Sequence, residues 1–394
     1  MRELAGIPAD ENDIVDAARA LAPKIQARAA EFEIDRRLPQ DLASAMALAG
    51  LHKIASPKYA GGSECRPLTQ IAVIEAIAQA DGSAGWNLMI GVEVQGFAAA
   101  AFPPELAHRY FSAPETIIAG ALNPMGRAEP VSGGLRLSGR WPMASGCQNA
   151  DYFWGQCLVM DGGKPARRED GTPVLREVLI PMAEMEVLGN WHANGLRGSG
   201  SHDVQATNIV VPDERITRVT ERVPFAGSTL FRFPTYSRLA YNKAAVATGI
   251  ARAAINYFKI LATEKKPRSS KNLLCERGDA QRAIADAETH LRSGRAFMFE
   301  AVSQMWDLVK AGEPAGPEAR ALVLLSCINA VQGACRAVDS LYAAAGASAV
   351  YADSPLGRCH RDVHVVPQHL TVSPQWTEAA GRMLLGLQSD APIL

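Results

Sequence analysis

Three of the chain's eight histidines, His360, His364 and His369, crowd into the stretch RCHRDVHVVPQHL. Imidazole titrates near neutral pH, so such a cluster suits a metal site, a proton-transfer site or a solvated surface. A metal site asks for an HExxH motif or for clustered carboxylates, and neither accompanies these histidines: His360 and His364 have the four-residue spacing, but no glutamate follows the first. Seven cysteines run from Cys65 to Cys359 without a CxxC pair, an odd total that fits neither a thiolate metal site nor a disulfide framework. The reading is reduced thiols and no metal. His369 is either part of a reaction site or a core histidine bonded to a backbone carbonyl. His360, flanked by Arg358 and Arg361, reads as a surface or interface residue. His364 and His369 are an odd number of residues apart, and in an extended segment they would face opposite sides.

Other stretches carry possible chemistry as well. WPMASGCQNAD breaks a strand at Pro142, then passes Ala144, Ser145 and Gly146, small enough for backbone and hydroxyl to lie against a flat ring. EKKPRSSKNL gathers Arg268, Ser269 and Ser270, a guanidinium fork with two hydroxyls that suits a phosphate. A solvated helix–helix loop has the same composition. In GLRGSGSHDVQATNIVVP, Gly195, Gly198 and Gly200 permit tight turns before a strand, and a plain β connector reads the same way. His202 in that stretch either contacts a cofactor or substrate or, as is commoner for a loop histidine, is structural. AAAGASAVY offers Gly346 and Ser348 for close approach to a ligand, or simply as a helix end. Trp86 and Asn87 follow the DGSAG turn and are candidates for a substrate wall. Glu93, alone in an apolar run, is either a second acid/base or the partner of a neighbouring donor.

The segments that must position these residues come in three blocks, read here as 1–115, 116–228 and 229–394. The first is helical: ENDIVDAARALAPKIQARAAEFEIDRR, LPQDLASAMALAGL and RPLTQIAVIEAIAQAD keep a helical apolar period, with Gly50 and Asp81-Gly82 as stops. The second is a run of short β-prone segments parted by Gly, Pro and Asn, with VSGGLRLSG as a hairpin, and predicts an antiparallel barrel or sandwich. The third returns to long amphipathic helices over 242–263, 276–310 and 317–345, with a shorter fourth from Pro374. Composition sets the outer bounds. With 40 basic and 41 acidic residues the chain has no basic excess for nucleic acid. MRELAGIPADEN turns polar too soon for a signal peptide. GWNLMIGVEVQGFAAAAF carries Glu93 and Gln95 mid-span and reads as a buried helix rather than a membrane span. A cytoplasmic protein with a small-molecule ligand is expected.

Helices, a β lobe, then a helical bundle, together with DGSAGWNLMIG, GRWPMASGCQNADYF, GLRGSGSHDVQATNIVVPDERI and LYAAAGASAVYADSPLGRCHRDVHVVPQH, resemble the acyl-CoA dehydrogenase superfamily. Within it the chain is most similar to the flavin-dependent monooxygenases that serve as oxygenase components of two-component hydroxylases. The resemblance implies a mainly α, acyl-CoA dehydrogenase-like fold with a central β domain and a C-terminal four-helix bundle. It also implies reduced flavin (FMN or FAD) and molecular oxygen as reactants, a flavin hydroperoxide, an aromatic substrate and a homotetramer. Reduced flavin would come from a separate reductase, since no GxGxxG follows a strand here. Carried onto this sequence, Ser145 is the hydroxyl facing the flavin's reactive nitrogen, Ala144 to Cys147 supply amides, and Trp141 flanks the ring; the alternative for this stretch is an ordinary hairpin with a buried Trp. Arg268, Ser269 and Ser270 reach the flavin phosphate, while Arg197 and Ser199 help frame the cleft. The dehydrogenases of the superfamily follow this late Arg-Asp with a catalytic glutamate, but no Asp or Glu stands between Asp362 and Glu378. His369 takes that place, and an imidazole base would raise the electron density of a phenol-like ring. The competing readings are a dehydrogenase that holds FAD tightly, and a catalytically silent relative without flavin affinity.

Overall fold

The structure, a computed structural model, describes residues 9–219, 227–268, 270–389 and 391, so Ser269 lies outside the described residues. Six helices open the chain: α1 (Asn12–Ala27), α2 (Ala29–Asp35), α3 (Gln40–Leu48), α4 (Pro67–Ala80), α5 (Gly82–Ala101) and α6 (Pro104–Phe111). Asp81 does more than stop a helix. It closes α4, and its Oδ1 accepts the Ala84 N–H at 3.0 Å, which makes it the N-cap of α5. The apolar run read from the sequence is α5, buried along nearly its whole length, Glu93 and Gln95 included.

Eight strands follow: β1 (Ile118–Val131), β2 (Gly134–Trp141), β3 (Tyr152–Asp161), β4 (Lys164–Pro165), β5 (Leu175–Pro181), β6 (Glu186–Val187), β7 (Val204–Pro212) and β8 (Ile216–Thr217). They form one sheet in the order β6-β7-β2-β1-β3-β5-β8, with β4 attached to β3. The expected hairpin is β1–β2, with Val131 opposite Gly134. The all-antiparallel expectation fails at one pair: β1 and β3 run parallel, Ile118 beside Tyr152. After β2 the chain stands at the end where β1 began. The connection 142–151 crosses beneath the sheet there, and β3 starts in the same direction as β1. That crossover is the WPMASGCQNAD loop.

Trp141 anchors the lobe. Its indole is fully buried against Phe153 and donates from Nε1 to the Gln156 carbonyl at 2.8 Å. Gly126, Gly139 and Gly155 surround it, and a Cβ on any of them would come within 2.6, 2.9 and 3.1 Å of the ring. Trp141 therefore fills the β core and presents no face to a cofactor, contrary to the expectation that it flanks the flavin.

The C-terminal block holds α7 (Thr229–Arg232), α8 (Thr235–Glu264), α9 (Gly278–Lys310), α10 (Pro317–Ala345), α11 (Pro355–Val363) and α12 (Thr377–Leu384). Leu68, Ile71, Ile74 and Met89 of α4 and α5 join Ala244, Ala247 and Ile250 of α8 in one continuous core. The first and third blocks are thus packed as one body. Residues Pro317–Ala349 are long and apolar enough to cross a membrane, but most of this stretch is packed inside the bundle. α11, which holds the first half of the histidine stretch, is not among the helices expected from the sequence. Ser354 caps it by accepting the Gly357 N–H at 3.2 Å, and Pro355 takes the first turn, a start signal present in the sequence.

Candidate active site

Two loops meet beneath the sheet, 142–151 and 195–201. Met143 and Leu196 each hold a left-handed backbone (φ +56° and +49°), a conformation that costs a non-glycine residue about 1–3 kcal/mol and persists only where surroundings impose it. The imposing contacts are visible. Ala144 N–H donates to the His202 carbonyl at 2.9 Å, Gly146 N–H to Ser199 at 3.0 Å, and Leu196 N–H to the Asp362 carboxylate at 2.6 Å. Ser145 N–H and Cys147 N–H are also taken, by the Met143 and Ala144 carbonyls. This corrects the expectation that residues 144–147 offer amides to a ligand: all four already donate within the protein. What the loop offers is the Ser145 hydroxyl.

That hydroxyl is buried and held on two sides. Trp86 Nε1–H donates to Ser145 Oγ at 3.1 Å, and Ser201 Oγ lies 2.7 Å away, itself 2.6 Å from Ser199 Oγ. With the indole as a fixed donor, and Ser201 able to donate as well, the Ser145 proton is left to give to a bound group. Asn87 Nδ2–H reaches the Gly198 carbonyl at 3.4 Å, joining the same wall. Arg197 turns the other way, 4.0 Å from Glu33, and does not face this hydroxyl cluster. His202 accepts the Trp191 N–H on Nδ1 at 2.9 Å.

From Trp86 a second group of residues runs along α5. Positions 86, 90, 93 and 97 share one helix face. The Trp86 and His369 rings stand edge to face, centroids 6.0 Å apart. Lys243 of α8 is bonded to Glu93, and both are buried. Arg238, one turn earlier on α8 and 3% exposed, sits over the rings of Phe97 and Phe231 at 4.8 and 5.0 Å. No carboxylate pairs with it within 4.0 Å among the described residues. Burial raises the Glu93 carboxyl and lowers the Lys243 ammonium, and their contact opposes both shifts. Glu93 Oε1 has no partner within hydrogen-bond criteria among the described residues, although the Asn242 side chain beside the carboxylate also favours its charged form.

His369 is half-buried, its ring beside Trp86. Burial first, then the Lys243 charge, pushes its imidazolium down to about 2. Its Nδ1 accepts the Thr371 N–H at 3.3 Å, so the neutral ring carries its proton on Nε2. As placed, His369 is a hydrogen-bond donor. The free acceptor nearby is Glu93 Oε1.

The remaining candidates form a separate group. Lys265, at the base of the EKKPRSSKNL loop, donates to the Ala345 carbonyl at 2.6 Å and so brings that loop beside Gly346 and Ser348. Arg268 is exposed, and Ser270 Oγ is engaged with Asn272 of its own turn. No contact links this group to Ser145 or His369 among the described residues.

Residues the sequence did not single out complete the frame. From α11, Arg358 approaches Asp81 at 3.5 Å, Arg361 holds Glu33 at 2.9 Å and Asp362 holds Leu196. Burial, then the neighbouring Asp81, pushes the Asp362 carboxyl up to about 8. Half of the histidine stretch is therefore a clamp on the site, tying α2, the α5 cap and the 195–201 loop together. Ser201, Arg238 and Lys243 were also missed. A charged residue on a long amphipathic helix gives no sign in one sequence that it points inward.

Family models match at both ends of the chain: "Acyl-CoA dehydrogenase, N-terminal domain" over 8–105 and "Acyl-CoA dehydrogenase, C-terminal domain" over 241–374. The solved 3-HSA hydroxylase from Rhodococcus sp. RHA1 superposes with a TM-score of 0.86 at 24% identity, covering 97% of this chain and 99% of that one. Indole-3-acetate monooxygenase from Pseudomonas putida is 34% identical over 92% of this chain and 91% of its own length. The oxygenase component of p-hydroxyphenylacetate 3-hydroxylase from Acinetobacter baumannii is 25% identical over 96% and 90%. The chain belongs to the flavin-dependent monooxygenases of the acyl-CoA dehydrogenase superfamily.

A monooxygenase of this family uses reduced flavin and oxygen, and the residues at hand fit a flavin. The amides of 144–147 are satisfied within the protein, and the buried Ser145 hydroxyl is the polar group this loop has left to offer. The dehydrogenase alternative falls away, and the absence of a carboxylate between Asp362 and Glu378 agrees with that. A Ser145 hydroxyl that holds the proton at the flavin's reactive nitrogen predicts that Ser145→Ala raises the hydrogen peroxide released per reduced flavin consumed. Peroxide yield equal to wild type would make Ser145 a loop residue only.

Proposed function

We propose that this monooxygenase hydroxylates a small aromatic acid, in the cytoplasm and as a homotetramer, with reduced FMN or FAD delivered by a separate reductase. One observation carries the substrate reading: Arg238. Its guanidinium is buried between two aromatic rings, and the line Arg238, Glu93 and Lys243 holds two basic groups against one acid. A buried excess of positive charge is costly until an anion offsets it. A substrate carboxylate does this while its ring lies toward Trp86 and His369. Two relatives bear names of arylacetate enzymes, which supports the same class. Names marking relatives as oxygenase components support a separate reductase, and exposed Ile260, Leu384, Leu385 and Leu387 support burial between subunits.

Bound flavin supplies the two electrons that split oxygen between the hydroxylated product and water. The protein's own residues do the rest. Ser145 holds a proton toward the flavin, and Trp86 keeps Ser145 in place. Glu93 Oε1 accepts from the ring N–H or O–H of the substrate and so enriches the ring in electrons, while His369 donates from Nε2. The Lys243 ammonium fixes the Glu93 carboxylate.

The test compares indole-3-acetate with its primary amide, which has the same shape without the charge. Arg238→Met is expected to weaken binding of the acid by roughly ten- to a hundredfold, the worth of about 1.5–3 kcal/mol for a bond to a charged group, and to leave the amide unchanged. Equal weakening of both, or of neither, overturns the aromatic-acid reading. Incorporation of labelled oxygen into the product, in a single turnover with reduced flavin, checks the reaction itself.

A further inference from the structure

The outward half of the histidine stretch serves none of this. His360 and His364 stand one helical turn apart at the end of α11, on the side away from the Asp362 clamp. Their Nε2 atoms lie 3.3 and 2.7 Å from the same oxygen, Asp339 Oδ1 on α10. All three ligand-type atoms fall within 4.8 Å of one another. The four-residue spacing of the two histidines carries no carboxylate with it in the sequence, because Asp339 comes from a different helix. Folding supplies what spacing could not.

We propose that Asp339, His360 and His364 form a divalent transition-metal site of the zinc class, one per protomer. Zinc sits about 2.0–2.2 Å from imidazole nitrogen and carboxylate oxygen, so tetrahedral ligand atoms lie roughly 3.3 Å apart. The two contacts to Asp339 are already near that spacing, and binding asks for small side-chain rotations only. The ring of His360 is also held in place: it stacks on Tyr342 with centroids 4.1 Å apart and an angle of 20°. Now both imidazoles share one carboxylate oxygen, each donating an N–H to it. A cation takes the place of those two protons, which move to the Nδ1 atoms, and the fourth position is left to water. Two imidazoles and one carboxylate are a donor set suited to zinc, not to calcium or magnesium, which favour oxygen ligands. A metal here pins α11 to α10. Since α11 also holds Asp81, Glu33 and Leu196, the ion stiffens the frame of the active site from outside.

The test is calorimetric titration of the flavin-free protein with Zn²⁺ at pH 7.5, with the melting temperature followed in parallel. One zinc per protomer is expected, with a rise in melting temperature. His364→Ala and Asp339→Asn should each weaken binding by more than the roughly 10–100-fold that loss of a group bonded to a metal ligand costs. Both side chains are more than two-fifths exposed, so neither change threatens folding. His108→Ala, at an exposed histidine elsewhere, should change nothing. Absence of stoichiometric binding, or full affinity in the His360→Ala/His364→Ala double variant, overturns the site.

Discussion

Lys243→Met is expected to lower the unfolding free energy by about 3–5 kcal/mol, the usual result of stripping one partner from a buried ion pair. Lys243 and Glu93 are both nearly inaccessible, and each is the other's direct ion-pair partner. Removing the ammonium leaves a buried carboxylate without its hydrogen-bonded partner, and only the more distant Arg238 charge still favours it. The double variant Glu93→Gln/Lys243→Met should recover most of the loss, because a buried ion pair replaced by neutral groups of similar volume is often neutral in stability. Urea unfolding of the three proteins checks this. A single variant as stable as wild type would mean that the pair is hydrated, and that Glu93 is not the desolvated carboxylate described above.

The second large effect separates the two candidate proton acceptors. The Glu93→Gln/Lys243→Met protein keeps its fold but loses the acceptor, and hydroxylation should fall by about 10²–10⁴-fold, the range for a positioned general base. Flavin should still be oxidised, with the oxygen leaving as peroxide. For a phenol-type substrate the deficit should shrink toward pH ~10, where the ring hydroxyl ionises unaided. His369→Asn keeps an N–H donor, so its loss should stay within about tenfold, the worth of one neutral hydrogen bond. Single-turnover product yields at matched flavin occupancy decide between them. A larger drop for His369→Asn than for the Glu93 double variant would return the base to the imidazole.

Much of the site's outline was legible in the amino-acid sequence, for reasons of local chemistry. The apolar period of α4 and α5, the glycine turn between β1 and β2, and the small residues around Ser145 are short-range signals. They placed the helices, the hairpin and the loop that carries the hydroxyl. Trp86 followed from its position after the DGSAG turn. Errors arose where a side chain's environment is set by segments far away in the chain. Trp141 looked available beside the loop, yet three glycines on β1, β2 and β3 make a socket that swallows it. The amides of 144–147 looked free, yet carbonyls of the same loop and of the 195–201 loop had claimed them. His369 looked like a base because histidine titrates near neutrality in water. Burial beside Lys243 and one backbone N–H, that of Thr371, turn it into a neutral donor. The sequence by itself determined which residues could be helical, which loop was small enough to carry Ser145, and that no carboxylate stood at the dehydrogenase position. Only the tertiary structure decided which charges are buried and which partners they keep, because desolvation and pairing depend on neighbours from α5, α8, α10 and α11 that meet only when the chain has folded.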